Sequence, residues 1–74
     1  MKEEHTATLK VVVNGLPEEV PPRTSVQALI ELLNEQDAGL LVEINGYFVH
    51  QREFPTREIE AGDRIELIHP AFGG

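Results

Sequence analysis

Apolar residues along this chain fall into five short clusters and one longer periodic stretch, set apart by glycine, proline and asparagine. Thr8-Leu9-Lys10-Val11-Val12-Val13 is β-branched, apolar and too short for a helix, so it predicts a strand that stops at Asn14-Gly15. An Asn-Gly pair between apolar runs is a strong hairpin signal, because both turn residues must take positive φ. Leu16 to Val20 is then the returning strand. Pro17 within it predicts an edge position, since proline cannot donate to a ladder, and Pro21-Pro22 closes the segment.

The spacing changes after Arg23. Val26, Leu29, Ile30 and Leu33 recur at i, i+3, i+4 and i+7, one apolar stripe of a helix whose wet side carries Glu31, Asn34 and Glu35. Thr24 with Gln27 three residues on fits a capping box at its start, and Gly39 is the expected left-handed stop. Leu40 to Asn45 reads as a third strand, Asn45-Gly46 as a second hairpin turn, and Tyr47-Phe48-Val49 as the answering strand. Residues 50–60 show no clean period, though Phe54 and Ile59 are expected to anchor them to the core. Glu60 to Asp63 is a turn, and Arg64 to His69 alternates with Ile65 and Leu67 on the inner face.

The order hairpin, helix, strand pair, irregular crossover, last strand predicts one α+β domain. One helix laid across a mixed sheet of four or five strands buries a single helical stripe economically. Parallel first and last strands at the sheet centre would account for their apolar richness. That arrangement is a β-grasp, the ubiquitin-like architecture. The expected division is a flexible extension over residues 1–7, the folded domain over 8–69, and a flexible C-terminal tail over 70–74 ending in Gly-Gly.

Composition narrows the chemistry. At 74 residues the chain buries only about 60% of its unfolded surface, so a pocket enclosing a large cofactor would consume much of the core. The absence of cysteine rules out disulfides, thiolate catalysis and Fe–S clusters. No apolar run approaches the roughly 20 residues of a membrane span and no signal-peptide core follows the start, which predicts a cytoplasmic protein without a membrane role. Thirteen Asp and Glu against six Lys and Arg give a net charge of −7. Nucleic-acid binding rests on neutralised phosphates and is not expected here; a basic protein surface is the better electrostatic partner.

The usual catalytic constellations do not form. His5, His50 and His69 have no metal-ligand spacing, and no zinc-protease motif occurs. Ser25 is the sole serine and sits at a helix start; Glu18 and Glu19, adjacent on a strand, point to opposite faces and cannot share a proton. Neither a dinucleotide-binding nor a phosphate-binding glycine loop is present. The unusual feature is the end: an apolar strand runs into Pro70-Ala71-Phe72 and then Gly73-Gly74. Glycine costs entropy and contributes no packing. A terminal pair is best explained by a need for backbone thin enough to thread a narrow channel, carrying the Gly74 carboxylate to another protein's active site.

Val42-Glu43-Ile44-Asn45-Gly46, Val49-His50-Gln51-Arg52, Gly62-Asp63-Arg64-Ile65-Glu66-Leu67-Ile68 and Gly73-Gly74 together resemble the ubiquitin-like sulfur carriers, the family of ThiS and the small subunit of molybdopterin synthase. The helix start Thr24-Ser25-Val26 with Leu29, Ile30 and Leu33 fits as well, so the likeness runs from about Leu9 onward. It implies that the chain is a protein co-substrate rather than an enzyme, with no bound cofactor. A ThiF-like enzyme would use ATP to adenylate Gly74, and a sulfur donor such as a cysteine desulfurase would convert it to a thiocarboxylate. A ThiG-like thiazole synthase would then use that sulfur for thiamin. The likeness also implies a monomer when free, with Ala71, Phe72, Gly73 and Gly74 meeting the partners. Phe72, beyond the last strand, is assigned to docking as an aromatic anchor; of the hairpin aromatics Tyr47 and Phe48, Phe48 is expected in the core.

The compact length and Val49-His50-Gln51-Arg52 favour the ThiS branch, although His50 stands where that branch commonly has proline. Pro70 and the residues before Thr8 are features of the molybdopterin branch or of neither. A role as the small subunit of molybdopterin synthase, or in another sulfur-transfer route, therefore remains the alternative. From a different class, a β-grasp interaction module or a protein modifier would share the fold.

Overall fold

The structure, a computed structural model, describes residues 7–70. Its elements are β1 (Leu9–Val13), β2 (Leu16–Val20), α1 (Val26–Leu32), β3 (Leu41–Ile44), β4 (Tyr47–Val49), a 3-10 turn (Gln51–Glu53) and β5 (Arg64–Ile68). The strands form one five-stranded sheet in the order β2-β1-β5-β3-β4. β1 and β5 run parallel, and every other neighbouring pair is antiparallel. With α1 packed on one face, this is the β-grasp arrangement that the sequence pattern predicts, and Pro17 lies on an edge strand as expected.

Both hairpins close through an asparagine and a glycine at positive φ: Asn14 at 51° with Gly15 at 83°, and Asn45 at 55° with Gly46 at 87°. Such turns match the right-handed twist of the strands they join. The core comes from alternate strand positions, Val11, Val13, Val20, Val42, Ile44, Val49, Ile65 and Leu67, meeting Val26, Leu29 and Ile30 of α1. Leu40, Phe54 and Ile59 close it from the connections, so the two residues expected to anchor the crossover do so. Each fully buried aliphatic side chain contributes about 1.5–3 kcal/mol. Among the described residues, no helix is long and apolar enough to cross a membrane.

Two features of α1 correct the sequence reading. Its N-cap is Ser25 rather than Thr24: the Ser25 hydroxyl accepts from the Ala28 N–H at 3.0 Å. Thr24 is buried and donates to the Pro21 carbonyl, while Gln27 reaches Glu31 instead of back to the cap. The first N–H groups of the helix, on Val26 and Gln27, donate to the carbonyls of Arg57 and Phe54. The crossover segment thus does the capping that a local box would have done. At the other end, the left-handed residue is Asn34 (φ 58°), not Gly39. Asn34 N–H bonds to Glu31 and Glu35 N–H to Ile30, the paired bonds of a Schellman stop. Gly39 lies further on in the connection to β3.

Candidate functional site

Ala71, Phe72, Gly73 and Gly74 lie outside the described residues. What the structure describes is the base from which they continue. That base is β5, the middle strand of the sheet, and it is pinned at both ends by the asparagines of the two turns. At its start, Arg64 N–H donates to Asn45 Oδ1 (2.9 Å), while Asn45 Nδ2 donates to Asp63 Oδ1 (3.0 Å). Asp63 is buried, and its other oxygen accepts from Glu60 N–H at 2.8 Å. At its far end, β1 has already turned away, and Asn14 Oδ1 takes the Leu67 N–H at 2.8 Å in place of a strand carbonyl. A sheet backbone group left without a partner would be costly, so Asn14 both makes a turn and completes the ladder under the tail.

Beyond Ile68 the chain meets the α1–β3 connection. The His69 imidazole lies between two carboxylates, Nε2 at 2.7 Å from Glu35 Oε1 and Nδ1 at 3.1 Å from Asp37 Oδ2. Asp37 is held in turn by the Gly39 N–H on its Oδ1 and by its own carbonyl accepting from Leu40 N–H. Hydrogen bonds to Asp37 and then to Glu35 hold His69 above the ordinary histidine range, and the bond to His69 holds Asp37 below the usual carboxylate range. Pro70 rests on Gly39 so closely that a Cβ there would lie 2.7 Å from the proline Cγ. Gln51 of the 3-10 turn donates to the Ala38 carbonyl and ties the connection to the crossover. Among the described residues no group of three or more His, Cys, Asp or Glu side chains is arranged to hold a metal ion. At His69 the reason is plain, because its two acidic neighbours sit on opposite ring nitrogens.

An apolar patch borders this base on the sheet face away from α1. Leu41 and Ile68 are direct cross-strand partners, both exposed, and Phe48 stands on the same face opposite Glu43. Phe48 is 52% exposed, against the core position expected of it, and its ring meets His50 edge-on at 5.2 Å. The three-residue β4 sends only Val49 into the core, which leaves Phe48 on the open face. Tyr47 is also exposed. Glu43 and Glu66 face each other within this patch, a like-charge pair that favours a cationic neighbour. On the helix side, Gln27, Ile30, Leu40, Gln51 and Phe54 line an open cleft of about 290 Å³, at the bottom of the range that small-molecule pockets occupy.

The ThiS family profile matches residues 6–74 of this chain. Among solved structures, a thiamine biosynthesis protein (ThiS) from Geobacter metallireducens superposes with a TM-score of 0.77 at 28% identity, covering 89% of this chain and all of that one. A second, described as molecular mimicry of SUMO that promotes DNA repair, gives a TM-score of 0.55 at 17% identity over 90% of this chain and 96% of its own. That likeness is one of fold alone. No curated protein matches the sequence.

Proposed function

The chain belongs to the ThiS family, and from that membership we propose that it carries sulfur for the thiazole ring of thiamin on the carboxylate of Gly74. The observation that carries this reading is the family match itself, which extends through Gly73 and Gly74. A ThiF-like enzyme binds the carrier and transfers AMP from ATP to the Gly74 carboxylate, releasing pyrophosphate. A carboxylate is a poor electrophile until adenylation supplies a leaving group. The terminal sulfur of a persulfide, made by a donor such as a cysteine desulfurase, attacks the acyl carbon and AMP departs. A thiol then reduces the resulting acyl disulfide, leaving a thiocarboxylate on Gly74 and a disulfide on the donor side. That soft, strong nucleophile is what a ThiG-like thiazole synthase consumes. The carrier supplies no catalytic side chain and holds no cofactor; the ATP belongs to its partner.

The open face of the sheet supports this reading as a surface for docking. Leu41, Ile68 and Phe48 offer apolar contact beside the point where the tail departs, and the Glu43–Glu66 pair favours a partner with cations at its rim. The net charge of −7 adds long-range steering toward such a surface. Removing Gly73 and Gly74 tests the reading. The shortened chain is expected to fold and to bind the activating enzyme while accepting neither AMP nor sulfur. A shortened chain that still restores thiamin synthesis would exclude a carrier in favour of an interaction module.

A further inference from the structure

A neutral imidazole has one N–H and one lone pair, whereas an ionised carboxylate only accepts. His69 has a carboxylate oxygen at each ring nitrogen, 2.7 Å and 3.1 Å away. A neutral ring would bond one of them and press a lone pair against the other, so only the imidazolium satisfies both. The partners come from one hydrogen-bonded connection. The Schellman stop at Asn34 fixes where Glu35 begins, and the Gly39 and Leu40 N–H groups fix Asp37. Directly after His69, Pro70 sits on the bare Cα of Gly39. Three contacts in succession therefore join the base of the C-terminal segment to the α1–β3 connection, and one of them depends on a proton.

We propose that His69 is a positioning residue: as an imidazolium between Glu35 and Asp37 it clamps the base of the tail to the α1–β3 connection, and loss of its proton breaks one of these contacts and loosens that base. The clamp stands on geometry alone; its effect on adenylation rests on the carrier reading above. Glu35 and Asp37 are the charged groups that act on His69. Across the sheet, the residue opposite Ile68 is the uncharged Leu41, and the Glu43–Glu66 pair lies further along the strands. The 3-10 turn reaches this connection through the neutral Gln51. Direct bonds to both carboxylates raise the proton affinity of the ring, in line with its upward displacement. A clamped base fixes the point and direction from which the chain continues past Pro70, and preorganisation of that kind favours binding. An alkaline shift breaks one of the three contacts and loosens the clamp without unfolding the domain.

Imidazole resonances followed by NMR across a pH series, on the full chain and on an E35Q/D37N variant, test the clamp. The His69 midpoint is expected to fall in the variant, and in the natural chain the Asp37 and Gly39 amide signals are expected to move with the same midpoint. An unchanged His69 midpoint, or amide signals that ignore it, overturns the clamp. A second measurement separates positioning from structure: the KM for the carrier in ATP-dependent adenylation, at pH values either side of that midpoint. The KM of the natural chain is expected to rise about two- to fivefold on the alkaline side, the scale of an exposed ion pair. H69R, whose cation keeps its charge, is expected to show no such pH step. A step of equal size in H69R overturns the positioning role. If no adenylate forms at any pH, the carrier reading fails, and the titration still decides the clamp.

Discussion

Gly39→Ala puts a number on the seat of the tail. The φ of Gly39 lies outside the left-handed region, so alanine is acceptable to the backbone. On that ground alone the substitution would stabilise by about 0.4–1 kcal/mol, through a stiffer unfolded chain. The added Cβ, however, lies 2.7 Å from Pro70 Cγ where ordinary contact begins at 3.4 Å, so the proline ring must retreat by about 0.7 Å. Overpacking of this kind costs about 1–3 kcal/mol, and Pro70 is only half-buried and able to yield. The net expectation is a loss of about 1 kcal/mol. That lowers the urea midpoint without changing the slope, and Tm by about 4–8 °C. The decisive assay is a double-mutant cycle with Pro70→Ala, which removes the clashing atom. In that background Gly39→Ala is expected to become neutral or mildly stabilising, with a coupling of about 1–2 kcal/mol. An equal cost in both backgrounds would refute the contact on which the seat of the tail is built.

Asp63→Ala removes a buried carboxylate that accepts from Asn45 Nδ2 and Glu60 N–H; a loss of about 2–4 kcal/mol by urea denaturation is expected, and a loss under about 0.5 kcal/mol contradicts the pinning of β5. Phe72→Ala is expected to weaken adenylation while leaving thermal stability intact, and unchanged kinetics at limiting carrier contradict its docking role. The clamp also predicts a pH profile. His69 is raised in the fold, so its share of stability is full below the unfolded value of about 6.5 and fades as pH climbs through the folded one. Asp37 is lowered, so its share is full above about 3.9 and fades as pH falls through the folded one. The stability difference between the natural chain and His69→Ala is therefore expected to be larger at pH 6 than at pH 9, and a flat difference counts against it.

The fold was legible wherever its cause is local. The stripe Val26, Leu29 and Ile30, the alternation of Ile65 and Leu67, and the two Asn-Gly turns each act through residues a few positions apart, and each stands where its pattern places it. What escaped was decided by distant neighbours. Thr24 and Ser25 are adjacent hydroxyls with equal local claims to the cap. The Pro21 carbonyl and the 54–57 segment decide between them. A strand pattern says that Phe48 and Val49 face opposite ways, but not that the face of Phe48 lacks a covering helix. The asparagines signal turns, while their side-chain bonds to β5 span 19 and 53 residues. The His69 clamp joins residues 32 and 34 positions apart and leaves no local trace. Gly39 signalled a helix stop, whereas in the fold it lies against Pro70, where a Cβ would be too close.

Sulfur carriage on Gly74 leaves a mass difference that can be read on the intact chain. The chain is incubated with ATP, a ThiF-like adenylating enzyme and a persulfide donor, then weighed and fragmented. A gain equal to exchanging one oxygen for one sulfur, located on Gly74 and absent without ATP, is expected. An unchanged mass with several competent activating enzymes contradicts sulfur carriage.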